Sequence, residues 1–202
     1  MTDFRAFGKI ARLNREVIVT EKIDGTNAQI CIVRADQAVS ESAIAGVRTA
    51  MVEHDGVLYD IFAGSRTRWI VPGDDNFAFA KWVHENANEL VKLGEGHHFG
   101  EWWGQGIQRK YGLDHRRFSL FNVHRWADDA VRPACCHVVP EIARGVGVDH
   151  CAESALNRLR AVGSFAAPGF MNPEGVVAFH TASNGLFKVT LEKDDEPKGK
   201  SK

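Results

Sequence analysis

Apolar and polar positions alternate with a period of two along much of this chain. Runs rich in Val, Ile and Phe at 17–20, 27–33, 46–52, 57–63, 97–103, 117–124, 136–140, 175–180 and 186–191 are bounded by Gly, Asn and Asp, which predicts β-strands. Asp55-Gly56 between two such runs predicts a tight hairpin. Two stretches change to helical spacing. In "DDNFAFAKWVHENANELVKLG", Phe77, Ala80, Val83 or His84, Ala87, Leu90 and Val91 recur on one face, with Asp74 or Asp75 as cap and Gly94 as stop. In "VDHCAESALNRLRAVG", Ala152, Ala155, Leu156, Leu159 and Val162 form a face that Gly163 ends. A short helix is expected around 3–12. Antiparallel strands with inserted helices predict an α+β domain over 1–192, followed by a charged tail, 193–202, expected to be disordered. The order is not the β-α-β alternation of a dinucleotide-binding fold, and "GEG" at 94–96 and "GQG" at 104–106 lack the rest of a phosphate-loop motif.

Composition narrows the function classes. A net charge of −1 excludes a surface that is one continuous phosphate-binding field, though not a local basic groove. No apolar run is long enough to span a membrane, and the start, "MTDFRAFGKIARL", has no secretory core, so a cytoplasmic protein without membrane partners is expected. Cys31, Cys135, Cys136 and Cys151 form no C-x-x-C pair and no zinc-ligand spacing, which favours reduced structural thiols.

One stretch carries candidate chemistry. In "VIVTEKIDGTNAQICIV", 17–33, a strand breaks at Glu-Lys-Ile-Asp-Gly-Thr-Asn and then resumes. Lys22 follows an apolar strand, and burial or neighbouring cations favour the neutral, nucleophilic amine. Asp24 shares its strand face by the period of two. Gly25 permits a sharp turn or a close approach. Taken alone, so short a heptad favours a plain hairpin carrying an exposed Lys and Asp.

Five further motifs follow in order: "GSRTRW" (64–69), "HFGEWWGQGIQ" (98–108), "RFSLFNV" (117–123), "PEGVVAF" (173–179) and "GLFKVT" (185–190). Together with "EKIDGTN" they resemble the motif series of the covalent nucleotidyltransferases, and most closely the RNA ligase 2-like branch. The resemblance implies a nucleotidyltransferase (ATP-grasp-like) domain of antiparallel sheets flanked by helices. It implies an ATP-dependent RNA ligase in which Lys22 takes AMP from ATP, passes it to a 5′-phosphate, and a 3′-hydroxyl displaces it. ATP as AMP donor and magnesium, with manganese as substitute, are the implied cofactors. RNA ends or a nicked duplex are the implied substrates, and an end-healing or duplex-engaging partner is implied for complete sealing.

The roles carried over are as follows. Lys22 is the nucleophile, Asp24 sits near the reacting amine, and Glu21 lies against the adenine. Arg66 contacts ribose or phosphate, Lys188 the α-phosphate, Glu101 the ribose or metal side, and Glu174 the metal. Phe121 stacks on adenine, with Phe118 as second choice; one of the two is expected on the site face and the other in the core. Asn27 points to the sugar-phosphate of the strand being joined. Arg109 and Lys110, with Arg116, Arg117, Trp102, Trp103 and Tyr111, offer a basic-aromatic surface for nucleic acid, or else a solvated loop. Arg68 is a weaker phosphate candidate or a surface charge, and Gly100 and Gly175 would let a ligand approach closely.

The chain departs from the family pattern at three places. Thr190 stands where a second lysine is usual, Asn122 where an aspartate is usual, and the fourth motif runs into Phe179 instead of a lysine. The chain ends soon after the last motif, so no C-terminal OB-fold or helical domain is expected. Two alternatives stay open: a minimal ATP-dependent DNA nick ligase, and a non-sealing nucleic-acid-end or nucleotide-binding module of the same fold.

Overall fold

A computed structural model describes residues 3–37, 46–75 and 77–192; the tail 193–202 lies outside them. The described residues form two compact units, those up to Lys22 together with those from Pro140 on, and those from Ile23 to Val139.

The first unit is a four-stranded antiparallel sheet of β1 (Glu16–Lys22), β9 (Glu141–Val146), β10 (Gly175–His180) and β11 (Gly185–Thr190) in the order β11-β10-β1-β9. Alternation along β1 turns Val17 and Val19 to one face, where they meet Val176, Ala178 and Ile142 and the helix Val148–Val162. That helix buries Cys151, Ala152, Ala155, Leu156 and Leu159, a stripe set by its 3.6-residue turn. Val162, expected on the stripe, is exposed, and Cys151 takes its place one turn before Ala155. Gly163 ends the helix at φ 79°.

The second unit is a seven-stranded sheet: β3 (Ala50–His54), β4 (Val57–Gly64), β2 (Thr26–Arg34), β6 (Gly96–Gly104), β7 (Arg116–Leu120) and β8 (His137–Val138) in that order, with β5 (Trp69–Ile70) paired to β4. All its pairs are antiparallel except β7 with β8. One face, carrying Ala28, Ile30, Ile32, Ile61, Ala63, Trp102, Phe118 and Leu120, packs on the helical segment 79–93. Asp55 and Gly56 both take positive φ, 51° and 75°, and close the expected hairpin between β3 and β4.

Three local expectations are corrected. The helix expected from Phe77 begins at Phe79, because Phe77 and Ala78 are left-handed. It breaks at Asn86, whose side-chain amide donates to the Trp82 carbonyl, and resumes as Ala87–Leu90 before Gly94 stops it. The strand expected over 117–124 ends at Leu120, where Asn122 caps a short helix, Val123–Trp126, by accepting from the Arg125 N–H at 3.1 Å. Residues 3–12 form no helix: Phe4, Phe7 and Ile10 are exposed, and a helix this short needs packing to persist. Among the described residues no helix is long and apolar enough to cross a membrane, all four cysteines are free thiols, and no three His, Cys, Asp or Glu side chains cluster as for a metal ion.

Candidate active site

Lys22 is the last residue of β1, in a cross-strand row with Gly175 of β10 and Thr190 of β11. Its ammonium is ion-paired with Glu174, a buried carboxylate one residue before β10. Lys188 is two residues back along β11 from Thr190, so Lys22 and Lys188 stand on the same face of the sheet. The structure thus pairs Lys22 with Glu174 and places Lys188 on the same sheet face, in the row of Thr20 and Val177. Thr190, at the place of the family's second lysine, lies in Lys22's own row. Gly175 is there for its neighbour strand: a Cβ would come within 2.2 Å of the Val189 carbonyl oxygen. The close approach expected for a ligand is made by backbone.

Glu21 points the other way, as alternation requires. Its carboxylate accepts from the Ser164 hydroxyl at 2.6 Å and from the Phe165 and Ala166 N–H groups at 2.8 and 2.9 Å. Ser164 in turn accepts from the Ala167 N–H. Burial pushes the carboxyl above its usual range, and the three hydrogen bonds oppose that shift. The acceptors of this side chain, expected against the adenine, are taken up by residues 164–166, which gives it a structural role. No motif at 164–166 signalled it.

In the second unit Asp24 and Gly25 are held separately. The Asp24 N–H donates to the Tyr111 hydroxyl at 2.8 Å, and its carboxylate pairs with Arg109 at 3.2 Å. The Gly25 N–H donates to Glu101 Oε1 at 3.1 Å. A Cβ on Gly25 would fall 2.5 Å from the Trp102 carbonyl oxygen, so only glycine lets this turn lie against β6. Asn27 is directly opposite Glu101, and Ser119 of β7 completes the row. Arg66 is exposed on the turn after β4, whereas Arg68 is tied bidentately to Asp74 at 2.9 and 3.2 Å, a surface pair.

The two phenylalanines divide as alternation predicts. Phe118 is fully buried among Phe79 and Trp82, and Phe121 is 40% exposed just past β7. The basic-aromatic surface is corrected. Trp102, Trp103 and Tyr111 are all buried, Arg116 donates to the carbonyls of Gln105 and Phe77, Arg117 donates to His115 and lies over Trp103, and Arg109 serves Asp24. Lys110 alone of that group remains an exposed loop cation, at φ 60°. The aromatic residues of "EWWGQGIQRKY" fill the interior, since residues alternating along β6 meet packing on both faces.

This arrangement has the nucleotidyltransferase fold of solved RNA ligases. A Naegleria gruberi RNA ligase variant with ATP and Mn superposes with a TM-score of 0.55 at 16% identity, over 93% of this chain and 53% of that one. A second variant with ATP and Mn gives 0.52 at 16% identity, over 91% and 52%, and the enzyme with pyrophosphate gives 0.50 at 16%, over 91% and 53%. The chain therefore spans about half the length of the RNA ligases it matches. No significant match to a curated protein is found. The sequence profile of the RNA ligase family matches residues 15–190, and the chain belongs to that family.

Proposed function

We propose that this chain is an ATP-dependent RNA ligase working through a covalent lysyl-AMP on Lys22, with ATP as AMP donor and RNA ends as substrate. The observation that carries the reading is the contact of Lys22 with buried Glu174, with Lys188 on the same sheet face. An ammonium must lose a proton before it can attack phosphorus, and Glu174 is the carboxylate touching it. The neutral amine forms the N–P bond at the α-phosphate and pyrophosphate leaves. The charge that develops there needs fixed cations, and Lys188 is the candidate. A 5′-phosphate of RNA then takes the AMP and frees Lys22, and a 3′-hydroxyl attacks that phosphate and releases AMP.

Asp24, Arg109 and Tyr111 hold the turn that follows the nucleophile, Glu101 fixes its glycine, and Asn27 beside Glu101 faces the sugar-phosphate of the strand. Arg66 supplies a ribose or phosphate contact and Phe121 the adenine face. Magnesium is commonly held by one or two carboxylates together with substrate phosphates and water. Glu174, with Glu101 as second candidate, suits that donor set, and the metal would neutralise phosphate charge. Asn122 in place of the family's aspartate is compatible with this reading, because either residue caps the helix after Phe121. A cytoplasmic setting, in which the four thiols stay reduced, is part of the proposal.

The test is to incubate the full chain with α-labelled ATP and magnesium and follow label on the protein. The native chain is expected to label and Lys22→Ala to remain blank; a labelled Lys22→Ala protein overturns the mechanism. Nicked RNA and nicked DNA duplexes tested side by side then decide the substrate sugar.

A further inference from the structure

The face of the second unit's sheet that carries Asn27 and Glu101 also carries aromatic rings that the ligase chemistry leaves unused. Two residues back along β6 from Glu101 is Phe99, and two further back is His97. His97 and Phe99 stack at 6.0 Å between centroids and 12° between planes. On its other side His97 stacks with Trp69 at 6.2 Å and 23°. Trp69 rests in turn on Phe62, within a small apolar cluster that includes Cys31, Val33 and Val47. The His97 ring is fixed at both nitrogens: Nδ1 lies 3.2 Å from Gln29 Oε1 and Nε2 3.6 Å from the Cys31 thiol. Phe99 is the end plate of this row and is 50% exposed.

The spacing says how the row can be used. Two ring contacts need about 7 Å between flanking planes, so gaps of 6.0 and 6.2 Å admit no third ring. Binding falls to the outer face of Phe99, on the Glu101 side, with His97 and Trp69 as rigid backing. One mononucleotide has one base, and in the proposed reaction Phe121 takes the adenine. Phe121 sits next to Phe99, its N–H donating to the Phe99 carbonyl at 3.0 Å. Arg66, a cation suited to a phosphate, stands on the turn that leads into Trp69.

We infer that Phe99, backed by His97 and Trp69, is the stacking site for the terminal, unpaired base of the RNA strand presented for joining. This rests on the ligase reading above. An unpaired base offers a π-face to an aromatic plate, whereas a paired and stacked one does not.

The test uses the full chain, a fluorescently labelled 5′-phosphorylated single-stranded 12-mer RNA for binding, and α-labelled ATP for loading of Lys22. Phe99→Ala is expected to weaken RNA binding about 5- to 150-fold while leaving AMP loading within about twofold of native. His97→Ala is expected to weaken RNA binding by a smaller factor. Phe99→Tyr, which keeps the plate, is expected to bind as native and guards against misfolding of the alanine variant. Tryptophan fluorescence is expected to be quenched by the RNA in the native chain and less so in Trp69→Phe. Native RNA binding by Phe99→Ala overturns the proposal. So does a rise in the ATP needed for loading with RNA binding unchanged, which assigns Phe99 to the nucleotide site. If the native chain fails to load AMP yet binds RNA through Phe99, the ligase reading fails and the stacking site stands.

Discussion

Glu21 offers the sharpest test of how this sequence builds its site. Glu21→Ala removes a carboxylate that accepts three hydrogen bonds, from Ser164 and the N–H groups of Phe165 and Ala166. Bonds to an ionised group contribute about 1.5–3 kcal/mol each, and removing a buried charge returns part of that through relief of desolvation. Ser164 is buried, whereas Phe165 and Ala166 are half-buried and can recruit water once orphaned. The net loss is expected to be about 2–4 kcal/mol, a large share of the roughly 5–15 kcal/mol of a typical domain. Urea unfolding followed by far-ultraviolet circular dichroism measures it as a fall in midpoint at constant slope. Glu21→Gln, which keeps acceptor and shape, should lose about 1 kcal/mol or less. The pH dependence has a definite sign. The folded-state pKa is raised above its unfolded value, so the folded chain holds the proton more tightly. Glu21's contribution is therefore greatest below the ordinary carboxyl value of 4.5 and declines as pH rises through the folded pKa. Glu21→Gln should flatten that slope. A Glu21→Ala protein within about 0.5 kcal/mol of native that has lost AMP loading would refute the structural role and return the side chain to the nucleotide.

Other perturbations follow from the same contacts. Glu174→Ala should fold and lose AMP loading by about 100-fold or more, as expected when the group touching the proposed nucleophile is removed; single-turnover labelling measures it. Thr190→Lys adds a cation in Lys22's row and is expected to speed loading about tenfold in the same assay. Gly25→Ala drives a Cβ to within 2.5 Å of the Trp102 carbonyl oxygen and should destabilise by about 1–3 kcal/mol in urea. Burial holds the His98 and His137 imidazoles below the usual range. Their contribution is therefore complete above the ordinary imidazole value of 6.5 and is lost as pH falls from there through the folded pKa; His98→Asn should shallow that acid-side loss in a thermal-melt series.

The parts of the fold that the sequence revealed are those governed by period. Val17 and Val19 against Lys22, and Phe118 against Phe121, sort correctly because a strand's alternation is local information. The Asp55-Gly56 turn was legible for the same reason, since positive φ selects its residues. What stayed hidden depends on contacts remote in sequence. Nothing near residue 21 announces Ser164, 143 positions away, and nothing near Asp24 announces Tyr111, 87 positions away. Charge and aromaticity misled where burial decided: Trp102, Trp103 and Tyr111 look like a nucleic-acid surface in sequence and are interior in the structure. The row Trp69–His97–Phe99 was invisible because its rings come from two strands remote in sequence.

The contacts from Glu21 to Gly25 share a physical logic. Each unit fastens its own part of the segment: Glu21 by its carboxylate to Ser164, Lys22 by its ammonium to Glu174, Asp24 by its N–H to Tyr111 and its carboxylate to Arg109, Gly25 by its N–H to Glu101. A nucleophile that must present one amine in line with a leaving group gains rate from being held, and misplacement by about 1 Å costs on the order of 100-fold. Under the proposed function, the Lys22 amine changes partner when a phosphate arrives, while the Glu21 carboxylate before it and the Asp24 and Gly25 N–H groups after it stay engaged. That division predicts where substitutions act. Changes at Tyr111 or Arg109 should lower the loading rate at saturating ATP, because they loosen the turn. A change at Arg66 should raise the ATP concentration required, if the ribose or phosphate contact proposed for it is made. A loading-rate loss in Arg66→Ala with unchanged ATP dependence would show that the turn at 65–68 belongs to the positioning apparatus instead.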